Sequence, residues 1–321
     1  MNNRKIAIIG TGMIASGLAV LCTGHGYQTT VYSRSGASEG RCRQFYDKAF
    51  EQLAAQGLMT REQADICRTY LFFTEDYSAL GEAELVFECI VEDLGKKHEV
   101  YRQLEAYCGH LKAVCSASSS IVPNALAEGM GRLEDRILVA HPFHPAHMVP
   151  YIEICVSDRT KRETLDYVCQ VLGELDRKPV ILKKPTPGFI GNRLQFALLR
   201  EAIELVESGI ADPRDIDACL AYSFCPRYTS IGIFEHFDNG GLELCSTVCR
   251  NLFPILGNGK EVPGMLQELV EAGNLGAKTG RGFYEWEGVD PDAYEKRVNA
   301  PYWRFCSWKY PGGREGEHGS E

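Results

Sequence analysis

A glycine-rich turn lies near the start of the chain, where a short apolar run gives way to a helical stretch. Its pattern is G-x-G-x-x-A, formed by Gly10, Gly12 and Ala15. Gly10 permits a tight turn, Gly12 lets the backbone approach a pyrophosphate, and Ala15 allows the helix to pack closely on the strand. The helix N-terminus adds N–H donors and partial positive charge. We therefore predict a dinucleotide site whose turn residues are Gly10, Gly12, Met13 and Ile14.

The next informative position comes at the end of the second apolar run, residues 29–32. A carboxylate there bonds the ribose 2′-hydroxyl of NAD and repels the 2′-phosphate of NADP. This chain has Ser33 at that place, followed by Arg34. A guanidinium beside hydroxyls suits a phosphate, whereas Arg34 as a solvated loop residue leaves NAD open. The predicted cofactor is NAD or NADP, with a preference for NADP.

Three further segments carry polar residues that suit hydride transfer from an alcohol. Ser119 lies in the run Cys-Ser-Ala-Ser-Ser-Ser, His141 is followed by Glu153, and Asn192 lies at the opening of a long helix. Oxidation of a secondary alcohol needs a base for the hydroxyl proton, and imidazole exchanges protons near neutral pH. A carboxylate fixes the imidazole tautomer, and hydroxyl or amide groups polarise the developing carbonyl. A lone histidine is more often structural, so the prediction for His141 depends on the three segments together.

The histidine triplet His141, His144 and His147 does not predict a metal site. Prolines at positions 142 and 145 break a helix, so no regular element brings the three rings to one face. The cysteines do not supply a fourth ligand at a standard spacing. We therefore predict no bound metal, and the sequence assigns no role to His144 or His147.

Short apolar runs alternate with helical stretches through the first half of the chain. This alternation predicts an α/β fold with a largely parallel, doubly wound sheet of the Rossmann type. The runs span residues 6–9, 29–32, 70–73, 85–90, 113–116, 137–141, 152–156 and 180–182. Beyond the prolines near Lys183 the patterns become helical, which marks a domain boundary. We predict an NAD(P)-binding Rossmann domain over residues 1–186, an all-helical domain over 187–286, and a tail of unassigned role over 287–321.

Length and composition exclude several classes of protein. The 321 residues suit two domains of the usual length, roughly 150 residues each. A net charge of −9 argues against binding to a nucleic-acid backbone. No apolar run approaches the roughly 20 residues of a membrane span. The thirteen cysteines form no C-x-x-C pair, and we expect no signal peptide ahead of the first strand, so we expect reduced thiols in the cytoplasm.

Taken together, the motifs resemble those of the 3-hydroxyacyl-CoA dehydrogenase superfamily. The hallmarks S-S/T-S, H-x-x-x-P followed by E, and G-F-x-x-N-R-L occur in that order after the dinucleotide turn, over residues 4–286. Within the superfamily the chain looks most similar to the branch of L-gulonate 3-dehydrogenase (lambda-crystallin) and carnitine dehydrogenase. The stretches that carry this likeness are Ser-Ser-Ser-Ile-Val-Pro at 118–123, Ala-His-Pro-x-x-Pro at 140–145, Asn-Arg-Leu-Gln-Phe at 192–196 and Glu-Ser-Gly-Ile-Ala-Asp-Pro-Arg-Asp-Ile-Asp at 207–217.

The resemblance implies a role for each matching residue of the reaction centre. It makes His141 the general base and Glu153 its orienting partner. It also makes Ser119 and Asn192 hydrogen-bond partners of the substrate oxygen. His144 departs from the pattern, because the relatives usually have asparagine there.

The resemblance extends to a charged run on the cofactor side. Residues 88–97 are similar to the family's E-x-x-x-E-N-x-x-x-K, which implies that Glu92 and Lys97 lie near the nicotinamide ribose. The alternative is that both belong to the solvated, charged start of a helix. In the relatives the helical domain forms dimers, so the resemblance implies a homodimer through residues 187–286.

The substrate is the least determined property. Arg227 matches an arginine of the gulonate branch, and its guanidinium would bind a free carboxylate where a thioester offers no charge, unless it bridges helices instead. The ending Lys-Thr-Gly-Arg-Gly-Phe-Tyr at 278–284 resembles the acyl-CoA enzymes. The leading hypothesis is NAD(P)-dependent oxidation of the 3-hydroxyl of a small polar 3-hydroxy acid, such as a sugar acid or carnitine-like compound. The alternatives are an L-3-hydroxyacyl-CoA dehydrogenase and a non-catalytic dinucleotide-binding regulatory or crystallin-like protein.

Overall fold

An eight-stranded sheet forms the first part of the molecule in a computed structural model that describes residues 2–304. The strands are β1 (Asn2–Ile9), β2 (Tyr27–Tyr32), β3 (Leu71–Thr74), β4 (Leu85–Glu88), β5 (Ala113–Ser116), β6 (Ile137–Pro142), β7 (Tyr151–Val156) and β8 (Lys178–Ile181). They lie in the order β3-β2-β1-β4-β5-β6-β7-β8. Every neighbouring pair is parallel except β6 and β7, which are antiparallel.

Helices connect the strands and cover both faces of the sheet. They are α1 (Met13–Gly24), α2 (Gly36–Ala55), α3 (Arg61–Arg68), α4 (Leu94–Tyr107), α5 (Pro123–Ala127) and α6 (Arg162–Glu174). Because successive side chains of a strand point to opposite faces, Ile6 and Ile8 join one hydrophobic cluster while Ala7 and Ile9 join the other. The doubly wound α/β fold predicted from the alternating pattern is thus confirmed, and all eight predicted strands are present.

The described chain divides into two units. Residues 2–189 and 295–304 form one unit, called the nucleotide unit here because it contains the predicted dinucleotide turn, and residues 190–294 form the helical unit. The remaining helices are α7 (Gly191–Glu207), α8 (Pro213–Tyr222), α9 (Ile233–Gly240), α10 (Leu242–Leu252), α11 (Gly264–Glu271) and α12 (Pro291–Asn299). α7 ends before Gly209, which has a φ of +68°, and Asp212 caps α8.

The end of the described chain returns to the nucleotide unit. Glu295 in α12 accepts hydrogen bonds from Lys48 Nζ at 2.8 Å and Gln52 Nε2 at 3.0 Å, both on α2. Farther on, Trp303 packs against the hydrophobic cluster beneath that helix. Part of the tail predicted over 287–321 therefore supports α2, and residues 305–321 lie outside the described residues.

Two observations concern the whole described chain. No helix between residues 2 and 304 has the length and apolar character needed to cross a membrane. Every cysteine in that range is a free thiol, and most of those in the nucleotide unit are buried in its core.

Candidate active site

The glycine turn joins β1 to α1 with the geometry that a pyrophosphate requires. Gly10 has a φ of +116°, and a Cβ there would lie 2.8 Å from the carbonyl oxygen of Cys89, so only glycine fits. A Cβ on Gly12 would meet no protein atom within 4 Å. The space beside Gly12 is therefore open for a phosphate at the N-terminus of α1. Of the other two turn residues, Met13 is exposed and Ile14 packs against the core.

This turn forms one wall of a cleft of about 910 Å³ in the nucleotide unit. The cleft also runs past the ends of β2 and β4, as expected for a ligand at the carboxyl edge of an open α/β sheet. Tyr32 and Tyr77 line it, and their rings stack with centroids 4.0 Å apart. The size and lining of the cleft fit a dinucleotide.

Of the residues that follow β2, some line this cleft and one is buried beside it. Ser33 is buried, and its hydroxyl donates to the carbonyl oxygen of Ser35 at 2.8 Å and lies 3.0 Å from Ser38 Oγ. Arg34 and Arg41, by contrast, line the cleft. The hydroxyl that replaces the expected carboxylate thus shapes the start of α2, and the guanidinium groups face the ligand side.

A buried carboxylate, Glu88 at the end of β4, lies behind the cleft. Lys97 Nζ contacts its two oxygens at 2.8 and 3.0 Å. Tyr101 and Ser116 donate their hydroxyls to Oε2 at 2.9 and 2.7 Å, and the backbone N–H of Ile90 donates to Oε1. Lys97, predicted to lie near the ribose, is 1% exposed and bound in this network. The neighbouring Lys96 is the lysine that lines the cleft.

The serine segment forms a loop immediately after β5. Ser118 is buried, whereas Ser119 and Ser120 are exposed. Glu92 accepts hydrogen bonds from this loop, including one from the backbone N–H of Ser119 at 3.1 Å. The Ser119 hydroxyl makes no hydrogen bond within the described residues, so it is available to a ligand.

A cross-strand pair joins His141 and Glu153. Antiparallel pairing of β6 and β7 places the two residues directly opposite each other. Nδ1 of His141 lies 2.9 Å from Oε2 of Glu153, and the carboxylate is fully buried. With Nδ1 held by Glu153, Nε2 is the nitrogen that remains to exchange a proton with a ligand.

Three aromatic residues that were not predicted surround this pair. The rings of Phe143 and Phe189 lie 5.2 and 5.4 Å from the ring of His141. Tyr151 donates its hydroxyl to Oε1 of Glu153 at 3.2 Å. Phe189 is buried with a φ of +48°, a left-handed conformation rare outside glycine. One sequence signal was available for Tyr151, because it lies two residues from Glu153 on the same face of β7.

The other two histidines of the triplet have separate surroundings. His147 is buried, its ring meets Phe45 edge-on, and neither nitrogen makes a hydrogen bond within the described residues. Burial and the nearby charges lower the pKa of His147 to about 3, so the ring packs as a neutral aromatic group. Burial also lowers the pKa of His144. Among residues 2–304, no group of three or more His, Cys, Asp or Glu side chains is arranged to hold a metal ion.

The helical unit contains the other two predicted substrate residues. Asn192 is the second residue of α7 and is partly exposed. Arg227 lies in a short 3-10 helix, Cys225–Thr229, where its Nη1 is 3.1 Å from Nε2 of His236. The guanidinium is exposed and retains donors that an anion can use.

Comparison with known families accounts for most of the chain. Residues 5–185 match the model of the 3-hydroxyacyl-CoA dehydrogenase NAD binding domain. Residues 188–286 match the C-terminal domain of the same enzymes. This chain belongs to the 3-hydroxyacyl-CoA dehydrogenase family. It is accordingly a dehydrogenase that acts on CH–OH donors, with an NAD-binding Rossmann domain.

Individual members of the 3-hydroxyacyl-CoA dehydrogenase family resemble this chain along most of its length. It is 31% identical over 281 residues to 5-formyl-3-hydroxy-2-methylpyridine 4-carboxylate 5-dehydrogenase of Mesorhizobium japonicum, covering 88% of this chain and 90% of that one. It is 29% identical over 238 residues to L-carnitine dehydrogenase of Oceanobacillus iheyensis, covering 74% and 76%. These relatives agree with the superfamily and branch indicated by the sequence motifs.

A solved structure is similar over nearly the whole chain. It is that of 5-formyl-3-hydroxy-2-methylpyridine 4-carboxylic acid 5-dehydrogenase, an NAD+-dependent dismutase, with a TM-score of 0.85. The two are 29% identical, and the match covers 94% of this chain and 96% of that one. The likeness extends through both domains that the family models match.

Replacing Gly12 with alanine should weaken dinucleotide binding without disturbing the fold. The added methyl group meets no protein atom and projects into the space that the pyrophosphate needs. We expect the Kd for the dinucleotide to rise by about tenfold or more, while Tm stays within about 2 °C. Titration by fluorescence and thermal unfolding measure the two effects. Gly10→Ala provides the contrast, because strain at Gly10 should also lower Tm, and an unchanged Kd for Gly12→Ala would contradict the assignment.

Proposed function

We propose that this dehydrogenase oxidises the 3-hydroxyl of a small polar 3-hydroxy acid to the 3-keto acid. The observation that carries this proposal is the pair of His141 and Glu153, held 2.9 Å apart on β6 and β7. A histidine whose Nδ1 is fixed by a buried carboxylate has the arrangement of a general base. The family resemblance identifies the same two residues.

In the proposed reaction His141 removes the proton of the substrate hydroxyl through Nε2. Glu153 holds the ring in one tautomer and stabilises the positive charge that develops on it. Tyr151 and the two phenylalanine rings restrict the movement of this pair. A dinucleotide bound by the residues that line the cleft would provide the acceptor for the hydride that leaves the carbinol carbon. Ser119 and Asn192 donate hydrogen bonds to the substrate oxygen as it becomes a carbonyl.

Arg227 supports a substrate with a free carboxylate. Its exposed guanidinium is steadied by His236, and no described carboxylate side chain forms an ion pair with it. Guanidinium groups bind carboxylates through two parallel hydrogen bonds. One relative is named for a pyridine carboxylate and another for carnitine. A sugar acid or a carnitine-like acid is therefore the favoured class, and an L-3-hydroxyacyl-CoA remains the alternative.

The end of β2 supports a preference for NADP within the family's NAD-binding domain. Ser33 replaces the carboxylate that would repel a 2′-phosphate, and its hydroxyl is bound inside the loop. Arg34 and Arg41 line the adjacent part of the cleft together with Ser35 and Ser38. Glu39, in the first turn of α2, is paired with Arg43 at 2.8 Å. Two guanidinium groups and two hydroxyls suit a phosphate dianion.

The helical unit supports a homodimer. In the described structure of a single chain, α8, α9, α10 and α11 contain no buried residue. Large apolar side chains are exposed there instead, and Phe234, for example, is 89% exposed. Apolar surface of this extent is typical of a subunit interface.

A second copy of the chain is the proposed partner, and light scattering of the protein in solution should give twice the chain mass.

His141→Ala should nearly abolish turnover and leave cofactor binding intact. Loss of the proposed base should lower kcat by about 100- to 10,000-fold. The Kd for the dinucleotide should change by less than about twofold, because His141 does not line the cleft. His110→Ala, at an exposed histidine of the same unit, is the matched control. Retained turnover in His141→Ala would remove this residue from the mechanism.

Arg227→Ala should raise the KM for substrates with a free carboxylate and leave the KM for CoA thioesters little changed. A panel of 3-hydroxy acids and 3-hydroxyacyl-CoAs, followed at about 340 nm by cofactor reduction, first establishes which class is used. For an acid, we expect KM to rise by about 10- to 100-fold, because a charge-assisted pair is lost. Arg214→Ala, at an exposed arginine on α8, serves as the control. A higher kcat/KM for a CoA thioester than for every acid would favour the alternative.

The preference for NADP+ over NAD+ should depend on Ser33 and Arg34. The wild-type enzyme should have a higher kcat/KM with NADP+ than with NAD+. Arg34→Ala should lower kcat/KM for NADP+ by about 10- to 100-fold and change that for NAD+ little. Ser33→Asp should reverse the preference, because a carboxylate repels the 2′-phosphate and bonds the ribose. A wild-type preference for NAD+ would refute the NADP proposal and leave the dehydrogenase assignment intact.

A further inference from the structure

The serine loop after β5 converges on one carboxylate oxygen. Oε1 of Glu92 accepts from Ser118 Oγ at 2.6 Å and from Ser120 Oγ at 2.8 Å. It also accepts from the backbone N–H groups of Ser119, Ser120 and Ile121 at 3.1, 2.9 and 3.3 Å. Five donors from four consecutive residues therefore point at a single atom. A loop held in this way has little freedom to reorient its side chains.

Glu92 is itself held from the protein interior. Its Oε2 lies 3.7 Å from Nζ of Lys97, whose other contacts are to buried Glu88. Glu88 also accepts a hydrogen bond from Ser116, the last residue of β5. The loop is thus fixed at its base by Glu88 and over its length by Glu92, with Lys97 between the two carboxylates.

The charge of Glu92 suits this role. Partial burial raises the pKa of Glu92, but the hydrogen bonds from Ser118 and Ser120 and the charge of Lys97 bring it below the usual value. The carboxylate is therefore ionised at neutral pH, where charged acceptors make stronger hydrogen bonds. Its contribution to loop stability persists above the ordinary glutamate pKa and is lost as the pH falls through the lowered one.

We infer that Glu92 is a positioning residue that aims the Ser119 hydroxyl at the substrate by fixing the loop backbone. This inference rests on the proposed function, in which Ser119 binds the substrate oxygen. The family resemblance places Glu92 near the nicotinamide ribose of the cofactor, and the inference gives it a second role, toward the substrate. The hydrogen bond from the Ser119 N–H carries the effect, because it fixes the backbone on which that side chain stands.

Glu92→Gln tests the inference with little change of volume. An amide oxygen has two lone pairs and no charge, and the amide NH2 adds two donors where acceptors are needed. We expect kcat to fall by about 10- to 100-fold and the Kd for the dinucleotide to change by less than about threefold. Glu128→Gln, at an exposed glutamate of the same unit, is the charge-matched control. Ser120→Ala is a milder variant that removes one donor and should lower kcat by a smaller factor.

A double-mutant cycle with Ser119→Ala identifies the route of the effect. If Glu92 acts through Ser119, adding Glu92→Gln to Ser119→Ala should lower kcat by less than about threefold further. Independent, multiplied losses would overturn the inference, as would a rise in cofactor Kd that accounts for the whole loss of kcat/KM. Ser119→Ala with wild-type kcat would instead refute the proposed role of Ser119, and the inference with it. Thermal unfolding of each variant confirms that the fold is intact.

Discussion

The ligand-binding edge of the sheet depends on the hydrogen bonds and the ion pair made by the buried carboxylate of Glu88. It ends β4, the strand beside the glycine turn, and gathers donors from α4, from β5 and from its own loop. A carboxylate with 0% exposure is stable only when such donors satisfy its charge. The pairing with Lys97 fixes the start of α4 against the sheet. That attachment holds in place the residues of α4 that line the cleft, and the contact of Glu88 with Ser116 holds the base of the serine loop.

The second constraint is the direction of one strand. All other neighbouring strands are parallel, but β7 runs antiparallel to β6, and this places Glu153 opposite His141. Parallel pairing at this point would need a crossover of a dozen or more residues, whereas the connection here is residues 143–150. His147 of that connection is buried against α2 as a neutral ring. The loop that reverses the chain is therefore also part of the core.

Local patterns in the sequence predicted the strands and the glycine turn, because the period of apolar residues and the spacing of glycines are local properties. They did not predict α2, whose buried residues Cys42, Tyr46, Ala49, Phe50 and Leu53 follow a helical period within a charged, glycine-containing stretch. The five hydrogen bonds to Glu92 depend on a loop conformation that residue types do not specify. The left-handed backbone conformation of Phe189 could likewise not be predicted from the sequence, since glycine is the usual residue in that conformation.

The pair of His141 and Glu153 is separated by only 12 positions in the chain. A contact over so short a loop has a small entropic cost of closure and can form early during folding. Both strands precede every residue of the helical unit in the chain and are therefore synthesised first. The proposed proton-transfer pair and the proposed substrate-binding residues Asn192 and Arg227 are thus encoded in separate stretches of the gene. Divergence in the second stretch can change substrate choice while the acid–base chemistry is inherited unaltered.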